Sequence, residues 1–334
     1  NMTPLHEVII NNKTTINPVW IMRQAGRYLP EFKEIRKKNP NFIELCLNHK
    51  LSSEITLQPI KRFDLDAAII FSDILMLPYG LNQKVDFKKN FGPVLGNLDI
   101  GTMSKIDEID FVEKIYPIYK AIKSVSSKMT SMNKNTIGFV GAPWTLLVYM
   151  INQQSPKKNV KKDFFKDDFL INRILLIIEK FLKIHIKNQI ENGANIIQIF
   201  DSWAGLLEER DYPNYIYTPT LNLVDYVKSL NVPVICFPRE IRNYKEFCEI
   251  VKPDAINIDY SVDPLMISKN IKIPVQGGLD PKILLTDKEN LKKEILKYLD
   301  IFKDHPYIFN LGHGILPETN PDMVEFLIKT VKDH

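Results

Sequence analysis

The amino-acid sequence predicts an α/β protein folded as a single (β/α)8 barrel, with residues 1–334 forming one domain. Short runs rich in Val, Ile and Phe alternate with longer segments of helical periodicity, which is the pattern of parallel βα units. Eight such runs occur, and no Gly/Ser-rich or Pro-rich linker divides the chain. Eight strand–helix repeats without a linker favour one closed barrel over two open sheets.

The predicted elements follow each other in regular order. The eight strands are expected at residues 19–22, 67–71, 137–141, 196–200, 234–237, 255–258, 273–276 and 307–311. Helices are expected at residues 54–63, 111–129, 164–192, 220–230, 244–251, 288–302 and 321–331. The helix at 164–192 is the clearest, because its apolar residues recur at helical spacing and Gly193 follows as a C-cap. The long segment 76–103 lacks such a pattern, and we expect an irregular but ordered functional loop there.

Composition restricts the class of protein. Lys and Arg exceed Asp and Glu by 44 − 40 = 4, which is too small an excess to indicate a nucleic-acid or membrane-surface partner. Three cysteines at wide spacing give no disulfide framework and no Cys-x-x-Cys zinc motif. The longest aliphatic run, residues 174–178, is far too short to cross a bilayer. No secretory leader is recognisable, so a cytosolic location is expected, with a removed organelle-targeting segment as an open alternative.

Polar residues follow several predicted strands. In (β/α)8 barrels the catalytic and binding residues lie at this end, after the carboxyl ends of the strands. The polar residues are Arg23 and Arg27 after the first strand, Ser72 and Asp73 after the second, Tyr149 downstream of the third, Ser202 after the fourth, and His313 after the eighth. Two arginines on a Gly-containing turn suit a ligand with several carboxylates, because guanidinium groups bind carboxylates bidentately. Arg36 is a third candidate on the following helix.

Each of these residues also has a structural interpretation. An arginine near a strand end can be a surface charge, and Asp73 or Ser202 can cap a helix. Tyr149 lies in an apolar stretch, and Phe139 and Phe200 can simply fill the barrel core. His313 lies between two glycines, which indicates a close approach of the backbone to another group. Their shared location is therefore the stronger indication.

Four motifs resemble those of the uroporphyrinogen decarboxylase family. They are PVWIMRQAGRYLPEF (18–32), FSDIL (71–75), IGFVGAPWTL (137–146) and NLGHGI (310–315), in the family order from Asn17 to Pro321. The resemblance implies a (β/α)8 barrel, commonly a homodimer, that converts uroporphyrinogen III to coproporphyrinogen III. It implies no metal and no cofactor.

The resemblance also implies roles for individual residues. Asp73 would face the centre of the macrocycle. The chemistry of decarboxylation makes Asp73 the candidate catalytic anion, and it leaves Arg23, water bound to Arg23 and Tyr149 as alternative proton donors. Substrate contacts are implied for Arg23, Gln24, Ala25, Gly26, Arg27, Arg36, Asp73, Phe139, Tyr149, Phe200, Ser202 and His313. In this set Gln24, Ala25 and Gly26 form the turn between the two arginines, and the phenylalanines form an apolar wall.

Two rival functions remain at this point. A zinc methyltransferase of the same fold would carry His-x-Cys after the fifth strand, where this chain has Val234-Ile235-Cys236, and a second Cys where it has His313. A tetrapyrrole-binding protein without catalytic activity would keep the arginines and need no inward-facing anion such as Asp73.

Overall fold

The computed structural model describes residues 2–156 and 166–334. Seven parallel strands form one sheet, in which each strand pairs with the next along the sheet. In order, they are β1 (Ala67–Ile69), β4 (Asn135–Gly141), β5 (Ile196–Asp201), β6 (Val234–Pro238), β7 (Ala255–Ile258), β8 (Val275–Gly277) and β9 (Tyr307–Ile308). A separate antiparallel hairpin consists of β2 (Val85–Lys88) and β3 (Gly92–Leu95). The parallel α/β fold class predicted from the sequence is confirmed.

Residues 18–22 occupy the position between the first and last strands of the sheet. Val19 forms a parallel bridge with Phe309, whose N–H donates to Pro18 O at 2.8 Å. On the other side, the Asp66 N–H donates to Val19 O at 2.9 Å, and the Val19 N–H donates to the Asp66 carboxylate at 2.7 Å. The predicted first strand is thus an isolated bridge, because a side chain replaces a backbone carbonyl as its partner. These contacts connect both edges of the curled sheet.

Helices cover the outside of the sheet. Those predicted from periodicity are α4 (His49–Arg62), α7 (Glu108–Ser131), α9 (Asp168–Glu191), α10 (Thr218–Ser229), α11 (Tyr244–Val251), α13 (Lys288–Ile301) and α14 (Pro321–Lys332). Shorter helices that the sequence pattern missed are α1 (Pro4–Asn11), α2 (Pro30–Lys38), α3 (Phe42–Cys46), α8 (Pro143–Asn152) and α12 (Pro264–Asn270). Four of these five begin with Pro, whose fixed φ suits the first turn.

The predicted boundaries of the longest helix need one correction. In the described part of the chain α9 begins at Asp168, and Asp167 accepts a hydrogen bond from the Leu170 N–H at 3.0 Å as its N-cap. Residues 164–165, which were also predicted to be helical, lie outside the described residues. The predicted C-cap is confirmed, because Gly193 has a φ of +120°.

Segment 76–103 is ordered, as predicted, but it is not irregular. It contains α5 (Met76–Gly80), the β2–β3 hairpin and α6 (Ile100–Met103). The hairpin escaped detection because both of its strands are short and carry few buried residues. Its functional role stays a prediction.

The apolar core has two parts, one inside the sheet and one between the sheet and the helices. The inner part contains alternate strand residues, such as Ile235 and Phe237 of β6, together with residues of α1 at the amino end of the strands. Val234 and Cys236 belong to the outer part. This alternation follows from the period of two along a strand, and it predicts which residue after each strand faces inward. Among the described residues, no helix combines the length and apolar character needed to cross a membrane.

Candidate active site

The turn after residues 18–22 holds Arg23 in an uncommon backbone conformation. Its φ is +64°, in the left-handed region that few residues other than glycine adopt. The Gln24 side chain fixes this turn, because its Oε1 accepts from the Ile21 N–H at 3.0 Å and its Nε2 donates to Ala67 O at 2.9 Å. The Gln24 amide is therefore engaged in the barrel wall, and its contribution to a ligand site is to shape the turn. Ala25 and Gly26 complete this turn and are partly exposed.

The two glycines beside His313 each allow a close approach. A Cβ on Gly314 would lie 2.5 Å from Cδ and 2.7 Å from Nε of Arg23, so the arginine side chain lies directly over this glycine. A Cβ on Gly312 would lie 2.4 Å from the Tyr260 backbone nitrogen. The last barrel loop is thus packed tightly against both Arg23 and the loop after β7.

Arg23 is reached by water but lies in a deep concavity of the protein. Loss of bulk solvent there lowers its pKa below the usual value, the negative charge of Asp73 opposes this shift, and the charges of Arg27 and Arg239 add to it. Arg27 is itself exposed at the rim. The charges of Arg23, Arg27, Arg239 and Asp73 therefore act on one another at this opening.

Asp73 lies in the loop after β1 and is partly buried. One carboxylate oxygen accepts a hydrogen bond from the Leu75 N–H at 2.8 Å. Desolvation raises the pKa of Asp73 to about 6, although the Leu75 N–H and the charge of Arg23 both favour the ionised form. The carboxylate is therefore ionised at neutral pH, at an energetic cost that the fold must bear.

Tyr149 and His313 border the same opening. Burial raises the pKa of Tyr149, as does the charge of Asp73, so its hydroxyl is protonated at neutral pH. Burial lowers the pKa of His313 to about 3, and the charges of Arg239 and Arg23 add to this effect. The imidazole is thus neutral over the physiological range.

Aromatic rings line the inside of the barrel below these polar groups. The rings of Phe139 and Phe200 meet edge to face, with centroids 5.7 Å apart. Phe237 belongs to the same inner cluster and was not singled out from the sequence. Ser202 directly follows β5 at the same end of the sheet and is partly buried.

Arg36 is held differently from the other candidate arginines. It lies on α2, where one guanidinium nitrogen donates to Asn39 O at 2.8 Å and also to Pro40 O. Its guanidinium carbon lies 5.7 Å from the centre of the Phe42 ring, which in turn contacts Phe71. Arg36 thus caps its own helix, and its contact with a ligand stays a prediction.

Arg239 also faces this opening, and the sequence reasoning missed it. It follows β6 directly, and its charge lowers the pKa values of His313 and Arg23. The rule that selects polar residues after each strand would have found it, had it been applied to the fifth predicted strand.

The cysteines do not form a zinc site with these residues. Cys236 lies on the outer side of β6, fully buried among apolar residues, and burial raises its pKa well above the usual value. Within residues 2–156 and 166–334, no group of three or more His, Cys, Asp or Glu side chains is placed to hold a metal ion.

The fold and the site together define a parallel α/β barrel protein with an arginine-rich opening at the carboxyl ends of its strands, above an aromatic wall. The family model for uroporphyrinogen decarboxylase matches residues 2–334. Uroporphyrinogen decarboxylase of Rickettsia bellii is 43% identical over 333 residues, covering 95% of both chains, and that of Rickettsia africae is 41% identical over 329 residues, covering 96% of this chain and 94% of the other. The chain belongs to the uroporphyrinogen decarboxylase family.

A solved structure shares the fold at much lower sequence identity. A methyltransferase from Methanosarcina mazei superposes with a TM-score of 0.79 and 14% identity, covering 100% of this chain and 99% of the other. At this identity the likeness concerns the barrel fold alone.

Proposed function

We propose that this protein removes the four acetate carboxyl groups of uroporphyrinogen III to give coproporphyrinogen III. Family membership over the whole chain supports the activity. The observation that carries the mechanism is the position of the Asp73 carboxylate, which follows β1 at the barrel opening, accepts from the Leu75 N–H and is stabilised as an anion by the charge of Arg23.

Loss of CO2 from an acetate arm leaves an electron pair that needs an acceptor. Protonation of the pyrrole carbon next to the acetate-bearing carbon creates a cationic, imine-like ring. The bond to the carboxylate then breaks and its electrons neutralise the ring. The methylene carbon takes up a proton to become a methyl group, and the ring proton is released. One proton is consumed for each CO2 lost.

Asp73 would stabilise the cationic ring. Its free carboxylate oxygen would accept hydrogen bonds from the pyrrole N–H groups, which become more acidic as positive charge develops on the ring. This interaction is stronger in the transition state than in the bound substrate, and it therefore raises kcat. The aromatic wall of Phe139 and Phe200 would exclude water and strengthen the interaction.

The arginines would bind the substrate's carboxylates and fix its orientation. The charge of Arg23 acts on Asp73 and that of Arg27 acts on Arg23, and each charge-assisted hydrogen bond to the substrate would contribute about 1.5–3 kcal/mol. Arg23, or water bound to it, is also our preferred proton donor, because burial lowers its pKa whereas burial raises that of the alternative donor, Tyr149. Neutral His313 and the Ser202 hydroxyl would donate to propionate side chains.

An anaerobic turnover assay tests this proposal. Uroporphyrinogen III is incubated with the purified protein, and the products are oxidised and separated by their number of carboxyl groups. Stepwise formation of products with seven to four carboxyl groups supports the proposal. Binding without turnover would favour the tetrapyrrole-binding alternative, and thiol methylation without decarboxylation would favour the methyltransferase alternative.

The homodimer and the cytosolic location are proposals that rest on family membership. Sedimentation equilibrium of the purified chain tests the first, with a mass near twice 38.8 kDa expected. Fractionation of the source cells tests the second.

A further inference from the structure

Arg239 lies at the carboxyl end of β6, where its charge acts on residues of the opening. Its backbone N–H is shared between Asp201 O at 3.2 Å and Phe237 O at 3.0 Å, which places it beside the strand that precedes Ser202. Ile235 and Phe237 face the inside of the barrel, and Arg239 begins the turn that directly follows the strand. Its side chain is only 16% exposed.

The charge of Arg239 acts on residues from three other parts of the opening. It lowers the pKa values of Arg23, His313 and Tyr149, which follow the first, last and third strand positions of the barrel. Arg239 follows the fifth strand position, on the side of the barrel opposite Arg23. Cationic groups therefore face the substrate cavity from two opposite sides.

Among the described residues, Arg239 forms an ion pair with the neighbouring Glu240. Its Nη2 lies 3.2 Å from Oε1 of Glu240, the next residue, whose side chain is 50% exposed. The Arg239 Nε is buried and donates to no group in the described part of the chain. A guanidinium has five N–H donors, so the contact with Glu240 leaves part of its capacity to bind a carboxylate unused.

Glu240 is fixed through its backbone and not through its carboxylate. It has a φ of +63°, and its N–H donates to the Asp259 carboxylate at 2.8 Å. Exposed ion pairs contribute little to stability, so the Glu240 side chain can leave Arg239 without disturbing the fold.

We infer that Arg239 binds a carboxylate of the substrate from the side opposite Arg23, and that Glu240 occupies Arg239 until that carboxylate displaces it. The inference rests on the proposed function, because it requires a substrate with carboxylates on opposite edges. Uroporphyrinogen carries eight carboxylates around its ring and meets this requirement.

Steady-state kinetics of single and double variants test this inference. Arg239→Gln is expected to raise KM at least 10-fold with a much smaller change in kcat, and Arg239→Lys to restore part of the loss. Glu240→Gln removes the competing carboxylate and is expected to lower KM two- to fivefold. In the Arg239→Gln background, Glu240→Gln is expected to have no effect.

Matched controls make the same charge changes on the outside of the barrel. Lys329 and Glu325 form an exposed pair on α14, and Lys329→Gln and Glu325→Gln are expected to leave KM unchanged. Melting temperatures within a few degrees of wild type establish that the variants are folded. A KM within twofold of wild type in Arg239→Gln would overturn the inference, as would a Glu240→Gln variant whose KM rises like that of Arg239→Gln.

Binding of the octacarboxylate uroporphyrin, followed by fluorescence, separates this inference from the proposed function. If wild type binds uroporphyrin, fails to turn over uroporphyrinogen, and Arg239→Gln weakens binding at least 10-fold, the proposed function is wrong and the carboxylate site stands. If wild type is active but Arg239→Gln binds uroporphyrin as wild type does, the carboxylate site is wrong and the proposed function stands.

Discussion

The middle and the opening of the barrel differ in how their polar groups are paired. In the middle, the Gln276 amide donates to Gln198 at 3.0 Å and to Asn257 at 2.8 Å, and accepts from the Trp20 indole at 2.9 Å. All four side chains are fully buried and uncharged. At the opening, by contrast, Asp73 and the arginines carry charge that the protein neutralises only partly.

The difference indicates that the middle of the barrel contributes mainly to stability and the opening mainly to function. A paired, uncharged network keeps a buried polar layer at little cost, because every group has a partner. An ionised Asp73 with a pKa near 6 and a left-handed Arg23 both cost folding free energy. Such costs in folding free energy are typical of functional sites, where the charged groups interact with a bound ligand.

Among the variants that keep Asp73, the largest effect on kcat/KM is expected from Gly314→Ala, which disturbs the opening alone. The new Cβ would lie 2.9 Å or less from Cγ, Cδ and Nε of Arg23, so the side chain must move away. Loss of one charge-assisted substrate contact of about 1.5–3 kcal/mol corresponds to a decrease in kcat/KM of roughly 10- to 150-fold. Steady-state kinetics measure it, with Gly101→Ala on α6 as the control that should retain wild-type activity. Wild-type kcat/KM in Gly314→Ala would show that the position of Arg23 is unimportant.

The pH dependence of kcat/KM is expected to show a smaller, graded effect. Asp73 acts as an anion, and kcat/KM reports the pKa of the free protein, so activity should fall about tenfold for each pH unit below about 6. Arg23→Gln removes a charge that lowers this pKa, and the acidic limb should therefore move to higher pH. His313 is neutral across this range and should contribute no limb. An unchanged rate down to pH 4.5 would contradict an ionised catalytic carboxylate.

The smallest effect on turnover is expected in the middle of the barrel. Gln276→Leu leaves the Trp20 N–H and the Asn257 and Gln198 oxygens without their partner, and should lower the free energy of unfolding by about 2–4 kcal/mol. KM should stay within twofold of wild type, because the opening is untouched. Denaturant unfolding and kinetics on the same preparation check both values. A strongly raised KM would show that the two regions are coupled.

The sequence predicted the regular strands and helices better than the segment that connects the two edges of the sheet and the hairpin in segment 76–103. Strands β4 to β7 and the long helices follow from apolar periodicity, which reflects burial on one face. The strand predicted at 19–22 does not form a regular ladder, because the side chains of Asp66 and Asn310 accept from the Val19 and Met22 N–H groups. Apolar periodicity does not report such side-chain partners. The hairpin in segment 76–103 was not predicted, because its strands bury few residues and therefore show no clear apolar pattern.

The site was predictable where motif and strand end coincide. Arg23, Asp73, Tyr149 and His313 were selected for this reason, and their charges or pKa values now depend on one another. Gln24 was selected as part of the turn between the two arginines; its side chain donates to Ala67 O in the barrel wall, and its contact with a substrate stays a prediction. Arg239 lies outside the family motifs that were used, and the rule of polar residues after strands had not been applied to the fifth predicted strand.

The Asp73→Asn variant tests most directly whether one ionised carboxylate drives turnover at the expense of stability. Removing the charge keeps the shape and an acceptor, so kcat should fall at least about 100-fold with KM within about threefold. The folded-state pKa of Asp73 exceeds its unfolded value near 3.9, so the cost of its charge develops between about pH 4 and 6 and is complete above pH 6, and the variant should be more stable than wild type at pH 7.5. Turnover close to that of wild type, or a lower melting temperature with unchanged kcat, would contradict this role of Asp73.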